Sequence, residues 1–330
     1  MPVTAEARPQ TQPQVSSQRP EAPTSDYAVL LLGAGSGLGE SLARRLAQKH
    51  QVIAGMRSPE HFDTLKRNIA EDGGIEPLPL LADITDRDQF RTAFKGLALP
   101  PSLKLHYLPV AAGGLEYPPL GKEFLTQVVK LRRMTRNGGK VTHEAAQQAT
   151  NAIREQASKP EAMAFAMGIN RDAPIAIFQL LREEGHVDKG TTILTTSSSI
   201  SDEADPSDPD SFRGPQFYRT IGISKKAGVL AVRSLAAQYD MAHLDAVAPE
   251  LPDTAVGEKI ETLVEILKQL DPPVEVNVPK VPRGIVAVEI LKTIPIDPAT
   301  NDRRRTLYID ESGVGPIRPQ SWDKPFVPYL

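Results

Sequence analysis

The stretch Tyr27–Gln48, YAVLLLGAGSGLGESLARRLAQ, combines the patterns of a strand, a glycine-rich turn and a helix. Residues 27–32 form a continuous apolar run, which is typical of a strand buried on both faces of a parallel sheet. Leu38, Leu42 and Leu46 then recur at helical spacing. Glycines in such a turn let the backbone approach a pyrophosphate, whose charge meets the helix N-terminus. The stretch predicts a nucleotide-binding turn; the alternative is a tight turn without a ligand.

Strand-like and helix-like patterns alternate along the chain after this stretch. Further strands are predicted at 51–55, 75–86, 104–114, 190–201, 243–249 and 304–310. Helices are predicted between them, among them a helix at about 218–239 that precedes the sixth strand. This alternation is the pattern of a parallel sheet with right-handed crossover helices. It predicts an α/β fold: a Rossmann-type doubly wound parallel sheet in three layers, α/β/α.

The domain organisation follows from composition and loop length. Residues 1–25 are rich in Pro, Gln and Ser and predict a disordered tail. Residues 26–315 are predicted to form a single nucleotide-binding Rossmann-type domain, and 316–330 a C-terminal extension. The connection between the fourth and fifth strands is longer than one crossover helix needs. It therefore predicts a helical insertion at about 116–165.

Composition excludes several classes of function. The 330 residues carry a formal net charge of −3, which gives no reason to expect a nucleic-acid or anionic-membrane partner. The absence of cysteine excludes disulfides and thiolate chemistry, and the 6 histidines lack ligand spacing, so no metal site is predicted. No apolar run approaches the ~20 residues that span a bilayer. Because residues 1–25 also lack the apolar region of a secretory signal, we expect a cytoplasmic protein.

The end of the second predicted strand favours one cofactor over another. In dinucleotide-binding folds, an acidic residue about 20 residues past the glycines holds the ribose 2′-hydroxyl. Here the chain reads AGMRS at 54–58, without an acid and with Arg57 in reach. An arginine suits a 2′-phosphate through charge-assisted hydrogen bonds, so the sequence favours NADP(H) over NAD(H). The alternative is a solvated arginine on a loop.

Three later segments carry short motifs at the ends of predicted strands. Asp83 and Ile84 lie in LADIT, VAAG ends at Gly113, and PELPDT spans 249–254. Together with the glycine turn, these segments resemble the short-chain dehydrogenase/reductase family over about residues 27–312. The resemblance implies the Rossmann-type fold and a nicotinamide cofactor.

The resemblance also implies which residues hold that cofactor. Gly33, Gly37 and Gly39 match the glycines of the family's T-G-x-x-x-G-x-G turn. The implied cofactor site consists of Gly33, Ser36, Gly37, Leu38, Gly39, Arg57, Asp83, Ile84, Ala112, Gly113, Lys225 and Thr254. The family's fourth strand ends N-N-A-G, so VAAG lacks both asparagines, and Glu250 replaces the glycine of the family's P-G-x-x-x-T segment.

Catalytic residues are implied in the same way. Asn170, in FAMGINRDAPI, matches a helix asparagine that holds a water in the family's proton relay. Ser198 matches the catalytic serine, with Ser199 as the neighbouring candidate. Lys225, in ISK, matches the lysine that binds the nicotinamide ribose.

The family's catalytic tyrosine is missing from its expected position. It lies four residues before the lysine, where this chain has Ile221. An aliphatic side chain cannot transfer a proton, and general acid catalysis is worth roughly 10²–10⁴-fold. Tyr218 is a candidate replacement, but two helical turns, about 10 Å of rise, would separate it from Lys225. The alternative is that Tyr218 is an ordinary aromatic residue at a helix entrance.

Three functions are compatible with these residues. The first is an NADP(H)-dependent oxidoreductase that reduces a carbonyl or imine of a bulky small molecule, with Ser198, Asn170, Lys225 and Tyr218 as its catalytic candidates. The second is a non-redox isomerase, dehydratase or cyclase that uses a pocket carboxylate, Asp172 or Glu250, for proton chemistry. The third is a catalytically silent NADP(H) sensor or scaffold. The resemblance adds the expectation of a homodimer or homotetramer.

Overall fold

The computed structural model describes the greater part of the chain. The described residues are 27–110, 117–136, 141–198, 204–208, 210, 219–248, 251–252, 280–281, 304–310 and 313–315. In these segments no helix is both long and apolar enough to cross a membrane.

Strands and helices alternate as the sequence predicts. The strands are β1 (Tyr27–Leu32), β2 (Val52–Met56), β3 (Leu78–Leu81), β4 (Lys104–Pro109), β5 (Thr192–Ser198), β6 (Ala242–Ala248), β7 (Leu251–Pro252), β8 (Lys280–Val281), β9 (Arg304–Asp310) and β10 (Gly313–Gly315). The helices are α1 (Gly37–Leu46), α2 (Pro59–Glu71), α3 (Arg87–Gly96), α4 (Pro118–Arg136), α5 (His143–Ala157), α6 (Pro160–Met167), α7 (Ala173–Glu183) and α8 (Arg219–Gln238).

One large sheet organises the described residues. Its 8 strands follow the order β10-β9-β6-β5-β4-β1-β2-β3, and all neighbours are parallel except β9 and β10. Strand β1 lies between β2 and β4, so the order of the strands reverses beside it. Such a reversal opens a crevice at the carboxyl ends of the strands, where open α/β sheets bind ligands. The predicted Rossmann-type fold is confirmed.

The core covers both faces of the sheet. Val29 and Leu31 pack on the side of α1 and α2, in a cluster that includes Leu42. Leu30 faces the other side and packs in the cluster of Phe178, on the layer of α3, α7 and α8. Both faces of β1 are therefore buried, which explains why its sequence is continuously apolar rather than alternating.

Local sequence signals mark several helix starts. The side chains of Ser58, Asp86 and Thr142 each accept a hydrogen bond from the backbone N–H three residues further on. Each bond satisfies one of the donors that a helix N-terminus leaves unpaired. These caps fix the first residues of α2, α3 and α5.

A long helical segment connects β4 to β5. Helices α4 and α5 pack against each other and lie within the range in which the sequence predicts an insertion. Helix α6 instead continues through a π-helical turn, Gly168–Asp172, directly into α7. Tyr117 and Phe165 join the start of α4 to α6, with ring centroids 5.6 Å apart.

A buried histidine lies at the amino end of the sheet. His106 on β4 stacks on Tyr27 of β1 at 4.8 Å, and its Nδ1 accepts a hydrogen bond from the backbone N–H of Thr192. Burial lowers the pKa of His106 to about 4, and the nearby His50 adds to this effect while Asp188 opposes it. The ring is therefore neutral in the folded protein at neutral pH.

Acid is expected to destabilise the fold through His106. The pKa of His106 is lower in the folded protein than in the unfolded chain. The contribution of the neutral ring to the free energy of unfolding is therefore present at neutral pH and is lost as pH falls from about 6.5 towards about 4. The shift corresponds to roughly 3 kcal/mol. His106→Asn keeps an acceptor for the Thr192 N–H but cannot titrate, so its free energy of unfolding in urea should fall less between pH 7 and pH 4. An equal loss of unfolding free energy in His106→Asn and in the unmodified protein would contradict this role of His106.

Candidate active site

The glycine turn joins β1 to α1 at the carboxyl edge of the sheet. Gly33 and Gly37 have positive φ angles of 80° and 57°, which side chains rarely adopt. The backbone N–H of Gly33 donates to the carbonyl oxygen of Gly55 on β2 at 2.9 Å. A Cβ at Gly39 would collide with the carbonyl oxygen of Gly33, so α1 approaches the turn this closely only with glycine. The turn fits the close backbone approach that a pyrophosphate needs.

The other two predicted residues of the turn differ in their exposure and contacts. Ser36 immediately precedes α1 and makes no capping hydrogen bond with its side chain. Leu38 is partly buried against the core cluster beneath α1. Leu38 therefore anchors the start of the helix, while Ser36 lies at its N-terminus.

Arg57 and Asp83 face each other across the ends of β2 and β3. Their side chains approach to 3.9 Å, and Arg57 remains 62% exposed. Burial raises the pKa of Asp83, but hydrogen bonds from Thr85 and the charge of Arg57 outweigh it and hold the pKa below its ordinary value. The hydroxyl and backbone N–H of Thr85 both donate to Asp83, and this turn ends β3 before the polar part of the predicted strand. Ile84 packs at the edge of the core.

Asn170 lies in the π-helical turn and is buried. Its Nδ2 donates to the hydroxyl of Ser224 on α8 at 2.9 Å, and that hydroxyl is 3.3 Å from the carbonyl oxygen of Ile221. A Cβ at Gly228 would collide with the carbonyl oxygen of Asn170, so α8 packs directly on the turn. Single π-helical turns are frequent at functional sites. The structure thus ties Asn170 to the helix that carries the predicted lysine.

Lys225 points from α8 towards the end of β5. Its Nζ donates to the carbonyl oxygen of Thr196 at 3.2 Å. Lys225 and Asn170 line one small cleft, which is otherwise lined by Pro109, Pro174, Thr195, Thr196, Gly228, Val229 and Val232. The structure therefore brings together two residues that the sequence placed 55 positions apart along the chain, at 170 and 225.

Ile221 lies on α8 one helical turn before Lys225 and is half-buried. Residues four apart share a face of a helix, so Ile221 lies on the face that carries Lys225. The structure therefore places Ile221, the residue at which the family resemblance predicts a proton donor, on the same face of α8 as Lys225.

The carboxyl group of Asp172 does not have the environment of a pocket acid. Its side chain is 54% exposed, and Oδ1 accepts a hydrogen bond from Arg171 at 2.6 Å. Because it is neither desolvated nor part of the cleft lining, the structure does not support Asp172 as a pocket acid.

Several predicted site residues lie outside the described part of the chain. Ser198 ends β5, where its backbone pairs in register with Ala248, but its side chain lies outside the described atoms. The others are Ala112, Gly113, Ser199, Tyr218, Glu250 and Thr254.

Sequence reasoning missed a group of buried polar residues beside the cleft. Thr195 and Ser197 on β5 bond to Asp245 on β6, and Thr195 also contacts His243. The sequence signal is the alternation of His243 and Asp245 with apolar residues in β6. Across the described residues, no group of three or more His, Cys, Asp or Glu is arranged to hold a metal ion.

Comparison with known proteins identifies the fold. No family model and no curated protein matches the sequence. Among solved structures, a 3-oxoacyl-(acyl-carrier protein) reductase from Brucella melitensis with bound NAD matches with a TM-score of 0.57 at 13% identity, over 93% of this chain and 97% of that one. L-sorbose reductase from Gluconobacter frateurii, complexed with NADPH and L-sorbose, matches with a TM-score of 0.56 at 10% identity, over 86% and 95%.

A third similar structure has the same class of fold. Actinorhodin polyketide ketoreductase with NADPH matches with a TM-score of 0.59 at 15% identity, over 88% of this chain and 98% of that one. The chain therefore has the fold of the short-chain dehydrogenases/reductases, as the sequence resemblance predicts.

Proposed function

We propose that the chain is an oxidoreductase of the short-chain dehydrogenase/reductase family that uses NADP(H) to reduce a carbonyl or imine of a bulky small molecule. One observation carries the proposal. The glycine turn and the cleft of Lys225 and Asn170 open at the same carboxyl edge of the sheet, on either side of the place where the strand order reverses. Open α/β sheets bind dinucleotides across this crevice.

The residues of the turn fit a dinucleotide. A Cβ at Gly39 would fill the space against Gly33, and the positive φ angles of the turn suit glycine alone. In the proposed site the turn and the start of α1 hold the pyrophosphate, and Lys225 holds the nicotinamide ribose through charge-assisted hydrogen bonds. NADPH supplies the hydride when it is bound.

The environment of Arg57 supports NADP(H) rather than NAD(H). Its guanidinium is mostly exposed at the end of β2, and its contact with Asp83 at 3.9 Å is long for an ion pair. A guanidinium exposed at this position can approach a 2′-phosphate from the solvent side and pair with it through charge-assisted hydrogen bonds. The similar structures contain both cofactors, so the preference rests on this arginine.

The substrate proposal depends on Ile221. Because an aliphatic residue occupies the position of the proton donor, a substrate that needs little acid assistance is favoured. An imine nitrogen is basic enough to be protonated before the hydride arrives. Ser198, at the end of β5, would orient the acceptor group, and the segment at about 116–165, in the single domain 26–315, would shape a pocket for a large substrate.

Ile221 also supports a second candidate, a non-redox isomerase, dehydratase or cyclase of the same fold. Such an enzyme needs a carboxylate near the cleft rather than a tyrosine. Among the described residues, Asp172 does not fit this role, because its side chain is 54% exposed and lies outside the cleft lining. Glu250 remains a proposal for the same role. The third candidate, a catalytically silent NADP(H) sensor, would bind the nucleotide without carrying out any reaction.

Nucleotide titration tests the cofactor. NADPH is expected to bind saturably and more tightly than NADH, and Arg57→Ala should weaken NADPH binding about tenfold with little change for NADH, since it removes hydrogen bonds to a charged group. Nucleotide fluorescence measures both affinities. Arg67→Ala, which removes an exposed arginine from α2, is the matched control. Equal affinities for both nucleotides in the unmodified protein would contradict the NADP(H) preference.

A substrate panel separates the candidate functions. Consumption of NADPH with a carbonyl or imine supports the reductase. Conversion of a substrate without net NADPH oxidation supports the non-redox enzyme, and saturable binding without any conversion supports the sensor. Absence of saturable binding of either nucleotide would overturn all three.

A further inference from the structure

Four polar side chains form a buried network between β5 and β6. They are Thr195, Ser197, His243 and Asp245, and Asp245 and His243 are each 1% exposed. The Asp245 Oδ1 accepts from the Thr195 hydroxyl at 3.0 Å, and its Oδ2 accepts from the Ser197 hydroxyl at 2.8 Å. Both carboxylate oxygens are thus bonded to the neighbouring strand.

The chemistry of these groups fixes the direction of each hydrogen bond. Both hydroxyls donate to Asp245, each to a different carboxylate oxygen. The single proton of Thr195 is then committed, and its oxygen must accept from His243 Nε2, which lies 3.0 Å away. The network therefore requires the Nε2–H form of His243.

A carboxylate serves this arrangement better than an amide. An asparagine offers one acceptor and one donor group, so it could not accept from both hydroxyls. A buried charge is costly unless hydrogen bonds satisfy it, and Asp245 receives two of them. The charge thus locks the two hydroxyls at adjacent same-face positions of β5.

The locked segment of β5 adjoins the cleft. Thr195 is itself part of the cleft lining, and the next residue, Thr196, supplies the carbonyl oxygen that accepts from Lys225. The conformation of this segment determines where that carbonyl points, and hence where Lys225 lies. We propose that Asp245 is a positioning residue: its ionised carboxylate holds Thr195 and Ser197, and through them the segment of β5 that receives Lys225. Any effect of Asp245 on NADPH binding rests on the proposed function, whereas the hydrogen-bond network of Asp245 does not depend on that function.

Nitrogen-15 NMR of imidazole-labelled protein tests the network without any ligand. His243 is expected in the Nε2–H form, with its signal assigned by its loss in His243→Gln. Asp245→Asn frees the Thr195 proton to face the ring and should shift the tautomer towards Nδ1–H. A His243 ring that carries its proton on Nδ1 in the unmodified protein, or a tautomer unchanged in Asp245→Asn, would overturn the proposal.

Chemical labelling tests the consequence for Lys225. Acetylation by acetic anhydride, measured by mass spectrometry relative to the exposed Lys189, should be at least about fivefold faster at Lys225 in Asp245→Asn and Thr195→Val. Thr192→Val is the matched control, because it makes the same change at a buried threonine at the far end of β5. An unchanged rate at Lys225 in both variants, or an equal increase in the control, would overturn the positioning role.

Nucleotide affinity then separates this inference from the proposed function. If the unmodified protein binds NADPH, Asp245→Asn should weaken binding at least about fivefold while Thr192→Val leaves it within about twofold. If the unmodified protein does not bind NADPH, the proposed function fails and the NMR and labelling results still decide the role of Asp245.

Discussion

Ile221→Tyr is expected to raise the rate of NADPH-dependent carbonyl reduction by roughly 10²–10⁴-fold, the usual contribution of a positioned general acid. Ile221 lies four residues before Lys225 on α8, so a phenol there would share the face of the lysine. An ammonium group within a helical turn stabilises a phenolate and so favours proton transfer to the substrate oxygen. The measurement is kcat/KM for a panel of ketones and aldehydes.

Ile221→Phe is the matched control for this gain. It introduces the same ring at the same half-buried position without the hydroxyl group. Any effect of ring size on substrate or cofactor binding therefore appears in both variants, whereas only Ile221→Tyr gains a proton donor. Equal rates in the two variants would show that the missing tyrosine does not limit the chemistry, and would favour the non-redox or sensor function.

Lys225→Ala is expected to weaken NADPH binding by about 10–100-fold. Hydrogen bonds from a charged group to a ligand are worth about 1.5–3 kcal/mol, and the ammonium group of Lys225 is proposed to make such bonds to the ribose. The substitution also removes the Lys225 donor from the Thr196 carbonyl. Isothermal titration with NADPH measures the loss.

Two controls distinguish a lost ribose contact from a general loss of charge or stability. Lys189→Ala removes a lysine whose side chain is 80% exposed and should leave the affinity unchanged. Thermal unfolding of Lys225→Ala should stay close to that of the unmodified protein, because Lys225 is only partly buried. Unchanged NADPH affinity in Lys225→Ala would refute the ribose role and remove the main support for a nicotinamide beside the cleft.

The polar residues near the π-helical turn differ in what they contact. Asn170 donates a hydrogen bond to Ser224, Lys225 donates one to the carbonyl oxygen of Thr196, and α8 packs directly on the π-helical turn. The proposed preference for imines follows from Ile221, whereas the proposed role of Asp245 follows from its hydrogen bonds to Thr195 and Ser197.

The order of strands and helices could be predicted from the sequence because its signals are local. A buried parallel strand needs a continuous apolar run, as in 27–32, and an amphipathic helix needs leucines at helical spacing, as at Leu38, Leu42 and Leu46. Likewise, the close approach of α1 to Gly33 demands the glycine at 39. These requirements act over one or two turns of chain, so the sequence by itself determined the sheet, the nucleotide-type turn and the absence of a tyrosine at 221.

Contacts between distant segments were decided by the tertiary structure alone. Asp245 meets Thr195 because the parallel register of β5 and β6 places them opposite each other, 50 residues apart. Arg57 meets Asp83 through the adjacency of β2 and β3, and the exposure of Asp172 follows from the outer side of its helix. Which distant strands become neighbours depends on how the connecting helices dock on the sheet, which no local pattern of residues specifies.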